Sequence, residues 1–309
     1  MSSRIVSVFG GMGTQGNAVI QALLKDGNFT PRAIVRNPES DAALNLKAQG
    51  VEVVKGDGLD KESLVSALRG SEAVFGLTTT IWPLKAEGDG PNELVWGKNI
   101  VDAAKEVGVK FFIWSSLPSI NKISGGKYPN AIHYEEKATV EEYLKASGMK
   151  NASIHLGAFL ENFWKLDILK KTDKGFDIAI PHFRATDCQA FTWTEQAVPA
   201  TILALLRNYK DPSKNISGNT YPIVNANISY SELAALTEKA LGVEVTFTTA
   251  PATGMPFIDE MFKSHAEYSG LFTGTPVPNP DLVALGVKFG SIQEFLETEA
   301  KPRFDQLVK

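Results

Sequence analysis

The chain has 309 residues, 43% hydrophobic and 21% charged, with a formal net charge of −4. That length and balance suit a globular protein with a sizeable core, in one large domain or two smaller ones. No basic tract exceeds a pair of residues, which argues against direct nucleic-acid binding, and no stretch reaches the roughly 18 uninterrupted apolar residues of a membrane span. The lone cysteine, Cys188, excludes an intrachain disulfide and points to a reducing compartment. The opening MSSRIVSVFGG lacks the basic and long apolar regions of a leader, so the expectation is a soluble cytoplasmic protein, with nuclear entry open to it.

In chain order, RIVSVFG (4–10) is a β-rich run ending in glycine, and GNAVIQALLKDG (16–27) carries apolar residues at helical spacing up to a closing glycine. RAIVR (32–36) predicts a second strand, 41–50 a helix, VEVVKGD (51–57) a third strand, 61–70 a helix and EAVFGLTT (72–79) a fourth strand. A Trp-Pro and glycine-rich loop precedes a long helix at 92–108, a fifth strand KFFIWSSL (110–117), a helix at 131–148 and a sixth strand at 151–157. This alternation predicts an α/β fold, a Rossmann-type doubly wound parallel sheet with helices on both faces. After residue 157 the rhythm breaks. Prolines crowd 251–280, and only 231–242 and 291–301 read as amphipathic helices. The expected organisation is a nucleotide-binding domain over 1–156 and a smaller mixed α/β region over 157–309, some of whose strands return to the main sheet.

VFGGMGTQGNAV places Gly10, Gly13 and Gly16 at G-x-x-G-x-x-G spacing, with Gly11 beside the first, between a strand and a helix. Glycines permit the tight turn and let backbone N–H groups approach a pyrophosphate, and the helix N-terminus adds partial positive charge. In this context the run reads as a dinucleotide loop and not as a bare turn. The second strand ends VRNP. Arg36 stands where a 2′-phosphate would lie and no carboxylate is there to grip the ribose of NAD, so NADP(H) is the expected cofactor. Asp57 in GDGLD is a candidate for the adenine amino group, and Asp57 or Asp60 for capping the next helix. Thr78 and Thr79 end the fourth strand beside the expected crevice.

With VFGGMGTQG, VRNP, GDGLD, HYEEKATVEEYLKASG and FLENF in view, the chain resembles NmrA-like proteins, atypical members of the short-chain dehydrogenase/reductase superfamily, over nearly its whole length. The resemblance implies an NADP(H)-binding Rossmann domain with a smaller C-terminal domain. Some such proteins are cofactor-binding regulators acting through protein partners, and others are NADPH-dependent reductases. It also implies a phosphate loop from Gly10 to Gly16 with Thr14 and Gln15 at its turn, Arg36 at the 2′-phosphate, and Thr78 and Thr79 on the ribose side. Lys137 is implied near the nicotinamide ribose, and Phe159 and Asn162 beside the nicotinamide.

Ordinary short-chain dehydrogenases use a tyrosine four residues before a lysine, so that both project from one helix face. Here His133 occupies that place before Lys137, and Tyr134 lies roughly 100° further round. Histidine can move a proton near neutral pH, and Lys137 can anchor the ribose or act as general acid, so both are catalytic candidates. Ser115 in IWSSL is a candidate to polarise a substrate carbonyl, or a plain cap. Trp82, Tyr134 and Trp164 are candidates for a substrate pocket, with core packing the alternative for the tryptophans. His182, Asp187 and Cys188 lack the spacing of a nucleophilic or metal constellation, and no metal is expected. Three functions fit: an NADPH-dependent oxidoreductase on a small apolar carbonyl or iminium-like substrate, a redox-sensing regulator that binds a protein partner, and a non-redox catalyst that retains the nucleotide.

Overall fold

The computed structural model describes residues 4–79 and 92–308. In chain order the first half runs β1 (Ile5–Phe9), α1 (Thr14–Asp26), β2 (Thr30–Val35), α2 (Asp41–Ala48), β3 (Glu52–Lys55), α3 (Lys61–Leu68), β4 (Ala73–Gly76), α4 (Glu93–Glu106), β5 (Phe111–Ser116), α5 (Ile120–Ser124), α6 (Ile132–Ala146) and β6 (Asn151–Leu156). The second half adds β7 (Ala158–Phe159), α7 (Asn162–Lys165), β8 (Leu169–Lys171), β9 (Gly175–Pro181), β10 (Cys188–Thr192), α8 (Thr194–Asn208), β11 (Thr220–Ile223), β12 (Ala226–Ser229), α9 (Tyr230–Leu241), β13 (Glu244–Ala250) and α10 (Pro256–Glu267). Short helical segments follow, the last running from Ile292 to Val308.

Local chemistry explains the helix starts. Asp60 accepts from Ser63 N at 3.1 Å at the head of α3, and Asn92 accepts from Val95 N at 3.0 Å at the head of α4. Ser229 and Glu232 form a reciprocal capping box on α9. At the other end of α3, the buried guanidinium of Arg32 donates to the carbonyls of Ala67 (3.0 Å) and Arg69 (2.7 Å), filling acceptors the helix leaves open.

β1–β6 and β11 form one seven-stranded sheet in the order β3-β2-β1-β4-β5-β6-β11, with every neighbouring pair parallel. The doubly wound architecture expected from the alternation is therefore present. Its central strands are buried on both faces, including Val8, Phe75, Ile113 and Trp114. Strand order reverses between β1 and β4, which opens a crevice at their C-terminal ends. A second core, around Phe176, Ile178, Phe183, Tyr230 and Phe295, binds two small sheets, β12-β10-β7 and β13-β9-β8.

The two cores do not divide the chain at one point. β11 returns to the main sheet beside β6, and α8 packs on α1, contributing Ala197, Val198, Ile202 and Leu205 to the first core. The 15-residue α8 escaped the periodicity reading because Pro199 lies inside it and signals a break. No helix among the described residues is long and apolar enough to cross a membrane.

Candidate functional site

The crevice between β1 and β4 is built on the glycine loop. Gly10 takes φ 63°, in the left-handed region that favours glycine, and its carbonyl accepts from Gly13 N at 2.8 Å. Gly16 presses on this turn so closely that a Cβ there would lie 2.3 Å from Gly10 O. The N-cap of α1 is Gly13, with no side chain covering the first helical amides. The loop thus presents uncapped N–H groups and the positive end of a 13-residue helix to one cavity of about 460 Å³.

That cavity gathers residues far apart in sequence. Gly10 to Gly16, Arg36, Thr78, Thr79 and Phe159 all line it, with the sequence-assigned Thr14 and Gln15 in the loop segment. Arg36 is exposed at the end of β2 and makes no ion pair among the described residues. Met12, Gly56, Leu77 and Trp96 line it too and were not singled out from sequence. Trp96, on α4, lies so tightly over Gly58 that a Cβ there would fall 1.5 Å from the indole. Neighbouring Asn99 donates to Gly58 O at 2.9 Å, tying α4 to the GDGLD turn. Nothing in a lone tryptophan four residues into a helix signals this packing.

Other sequence candidates have different surroundings. Asp57 accepts from Leu59 N at 3.0 Å and is not part of the cavity lining, while Asp60 caps α3. Asn162 opens α7 and also lies outside the lining, as does Trp164, which stacks on Phe295 in the second core with ring centroids 5.6 Å apart. Trp82 lies outside the described residues. Ser115 donates to Gln15 Oε1 at 2.7 Å, joining the end of β5 to the glycine loop. His182 pairs with Asp259 at 3.0 Å and Asp187 with Arg184 at 2.7 Å, so neither turns to Cys188. No metal-binding group of His, Cys, Asp and Glu occurs among the described residues.

α6 carries Lys137 and His133, neither of which is among the residues that line the cavity. Lys137 Nζ donates to Thr78 O at 2.9 Å and lies 3.0 Å from Thr78 Oγ1. It also pairs with the carboxylate of Glu93, a residue the sequence reading did not select. Thr78 Oγ1 donates to the same Glu93 oxygen at 2.6 Å. His133 lies one turn earlier, half-buried, its Nδ1 with no hydrogen-bond partner among the described residues. Burial lowers its pKa to about 4, with opposing electrostatic contributions from Glu93 and Lys137, so the ring is neutral at pH 7. Tyr134 points elsewhere. Its buried hydroxyl is 2.9 Å from His265 Nε2, and His265 Nδ1 is 3.1 Å from Gln189 Oε1. Because the Gln189 oxygen only accepts, His265 carries its proton on Nδ1 and accepts from Tyr134 at Nε2. Burial raises the Tyr134 pKa further above the ordinary tyrosine range.

Residues 1–274 match the profile of the NmrA-like family. The chain belongs to the NmrA-like family. Among its relatives, the NmrA-like family domain-containing oxidoreductase FrzB of Cladobotryum sp is 37% identical over 161 residues, 52% of this chain and 48% of that protein. The corresponding oxidoreductase notA of Aspergillus sp. (strain MF297-2) is 41% identical over 146 residues, 47% of this chain and 43% of that protein. The matched stretch thus spans about half the length of these NmrA-like relatives. Among solved structures, the negative transcriptional regulator NmrA in complex with NADP superposes with a TM-score of 0.78 at 20% identity, over 100% of this chain and 98% of that one. The NADPH-dependent quinone oxidoreductase of Escherichia coli, complexed with NADPH, gives a TM-score of 0.70 at 22% identity, over 94% and 98%. At that level of identity these structures establish a shared fold.

Proposed function

We propose that this NmrA-like protein is an NADP(H)-dependent oxidoreductase acting on a small apolar carbonyl or iminium-like substrate. The observation that carries the reading is the crevice at the strand-order reversal, where an uncapped glycine loop, Arg36, and Thr78 and Thr79 beyond β4 face one cavity. The donor set fits the cofactor part by part. Loop amides suit a pyrophosphate, the Arg36 guanidinium a 2′-phosphate, and Thr78 and Thr79 ribose hydroxyls, with Phe159 as an apolar wall. The close approach of Gly16 to the backbone of Phe9 and Gly10 leaves no room for a side chain at that point of the loop.

Bound nicotinamide would supply hydride, and the chain's own residues handle the proton. Lys137 is partly buried beside Thr78 and pairs with the Glu93 carboxylate, which holds its Nζ in place as the proton donor of this reading. Neutral His133, one turn away, is suited to donate an N–H hydrogen bond to a substrate. The relatives named as oxidoreductases support this class of activity.

A second reading, a cofactor-binding regulator without turnover, draws on one feature. The Lys137 ammonium already has an acceptor for each of its three hydrogens, and the Tyr134 hydroxyl is committed to His265. Absorbance at 340 nm separates the two. Purified protein with NADPH and a panel of aldehydes, ketones, enones and cyclic imines should oxidise the cofactor with at least one substrate class. Saturable NADPH binding with no oxidation across the panel would overturn the enzymatic reading in favour of the regulator.

A further inference from the structure

We infer that Glu93 is a positioning residue for Lys137, and that this buried pair sets how tightly the nicotinamide half of the cofactor is held. The inference rests on the cofactor reading above. Glu93 opens α4, where a first-turn acid ordinarily faces solvent and complements the helix dipole. Here it is only 1% exposed and turns inward to the end of β4. One carboxylate oxygen receives both Lys137 and the Thr78 hydroxyl, while the other, Oε1, is buried with no partner among the described residues.

That arrangement is a poor device for stability. A buried ion pair gains little over well-packed apolar side chains, and a half-satisfied carboxylate adds a desolvation cost. Its geometry suits another role. Glu93 and the Thr78 carbonyl hold the ammonium from two sides, and the contact left is with the neutral Thr78 hydroxyl. Thr78 lines the crevice, so the exchangeable donor of a fixed cation lies where a ligand hydroxyl would meet it. Lys137 without Glu93 would be a long side chain with four rotatable bonds, ordered only by neutral partners.

The test compares two ligands. Glu93→Gln should bind NADPH about tenfold more weakly than the wild type. It should bind adenosine 2′,5′-bisphosphate, which has the 2′-phosphate but no nicotinamide ribose, with unchanged affinity. Glu93→Asp, which keeps the charge but withdraws it by one carbon, should lose less. In a Lys137→Met background, adding Glu93→Gln should change NADPH affinity by less than about twofold, because the two residues act as one. Equal weakening for both ligands, wild-type NADPH affinity in Glu93→Gln, or additive losses in the double variant would each overturn the inference. If Glu93→Gln does not fold, the ligand pair is read on Glu93→Asp, with a smaller loss of NADPH affinity and unchanged binding of adenosine 2′,5′-bisphosphate expected. If the wild type binds neither ligand, the cofactor reading fails instead. Positioning is then read from the rate at which acetic anhydride modifies Lys137, followed by mass spectrometry. That rate should rise several-fold in Glu93→Gln or Glu93→Asp, and an unchanged rate would overturn the positioning role.

Discussion

His133 stands one helical turn before Lys137, and burial decides what it can do there. Its pKa falls from 6.5 to about 4, and that of His265, buried against Tyr134, to about 3. Both shifts are depressions, so the folded chain refuses protons that the unfolded chain binds below pH 6.5. Stability is therefore intact above that pH and is lost as pH falls from 6.5 toward 4. The carboxylates of Glu72 and Asp259, held near 2 in the fold, lose their contributions at lower pH, as it falls from the ordinary carboxylate range toward 2. Thermal midpoints should thus drop between pH 7 and 5, and less steeply in a His133→Gln/His265→Gln variant. Equal slopes for the two proteins would contradict the assignment. At the other end of the crevice, Arg36 is an exposed guanidinium with no ion-pair partner among the described residues. Arg36→Ala should weaken NADPH binding about tenfold or more while leaving NADH nearly unchanged, as nicotinamide fluorescence titrations can show. An undiminished preference for NADPH would remove Arg36 from the 2′-phosphate role.

At the scale of elements, the first half of the fold was legible because each strand and helix follows its own period and ends on a clear signal. Gly27 in the left-handed region closes α1, and Asp60 opens α3. The second half was not. Its strands are as short as two residues, β10 pairs antiparallel with β12 but parallel with β7, and α8 hides behind Pro199. Pairing of that kind is decided by tertiary packing and not by local periodicity. The candidate site divides in the same way. The glycine loop announced itself, since strand, glycines and helix are contiguous. Glu93 did not, because an acid in the first helical turn is unremarkable until the fold brings Thr78 and Lys137 against it. The loop makes its own prediction. In Gly16→Ala the new methyl group would collide with the backbone of Phe9 and Gly10, which cannot yield as a flexible side chain can. NADPH affinity should fall at least about tenfold, with the secondary structure retained by circular dichroism. Wild-type affinity would show that this turn does not hold the cofactor.

Across the whole molecule, the crevice is framed by parts that the chain order separates. The ends of β1 and β2 and the segment after β4 line it, α6 brings Lys137 against Thr78 on its wall, and Phe159 reaches it from β7, which pairs with β10 in the second set of sheets. α8 on α1 and β11 beside β6 bind the second half of the chain to the first. The Tyr134–His265–Gln189 chain does the same through α10 and β10. Cofactor binding is the claim on which every other assignment depends, and titration of the unmodified 309-residue chain with NADPH and NADH, followed by calorimetry, tests it most directly. The account predicts saturable binding of one NADPH per chain, tighter than NADH by at least about tenfold. No saturable binding of either nucleotide, or tighter binding of NADH, would contradict it.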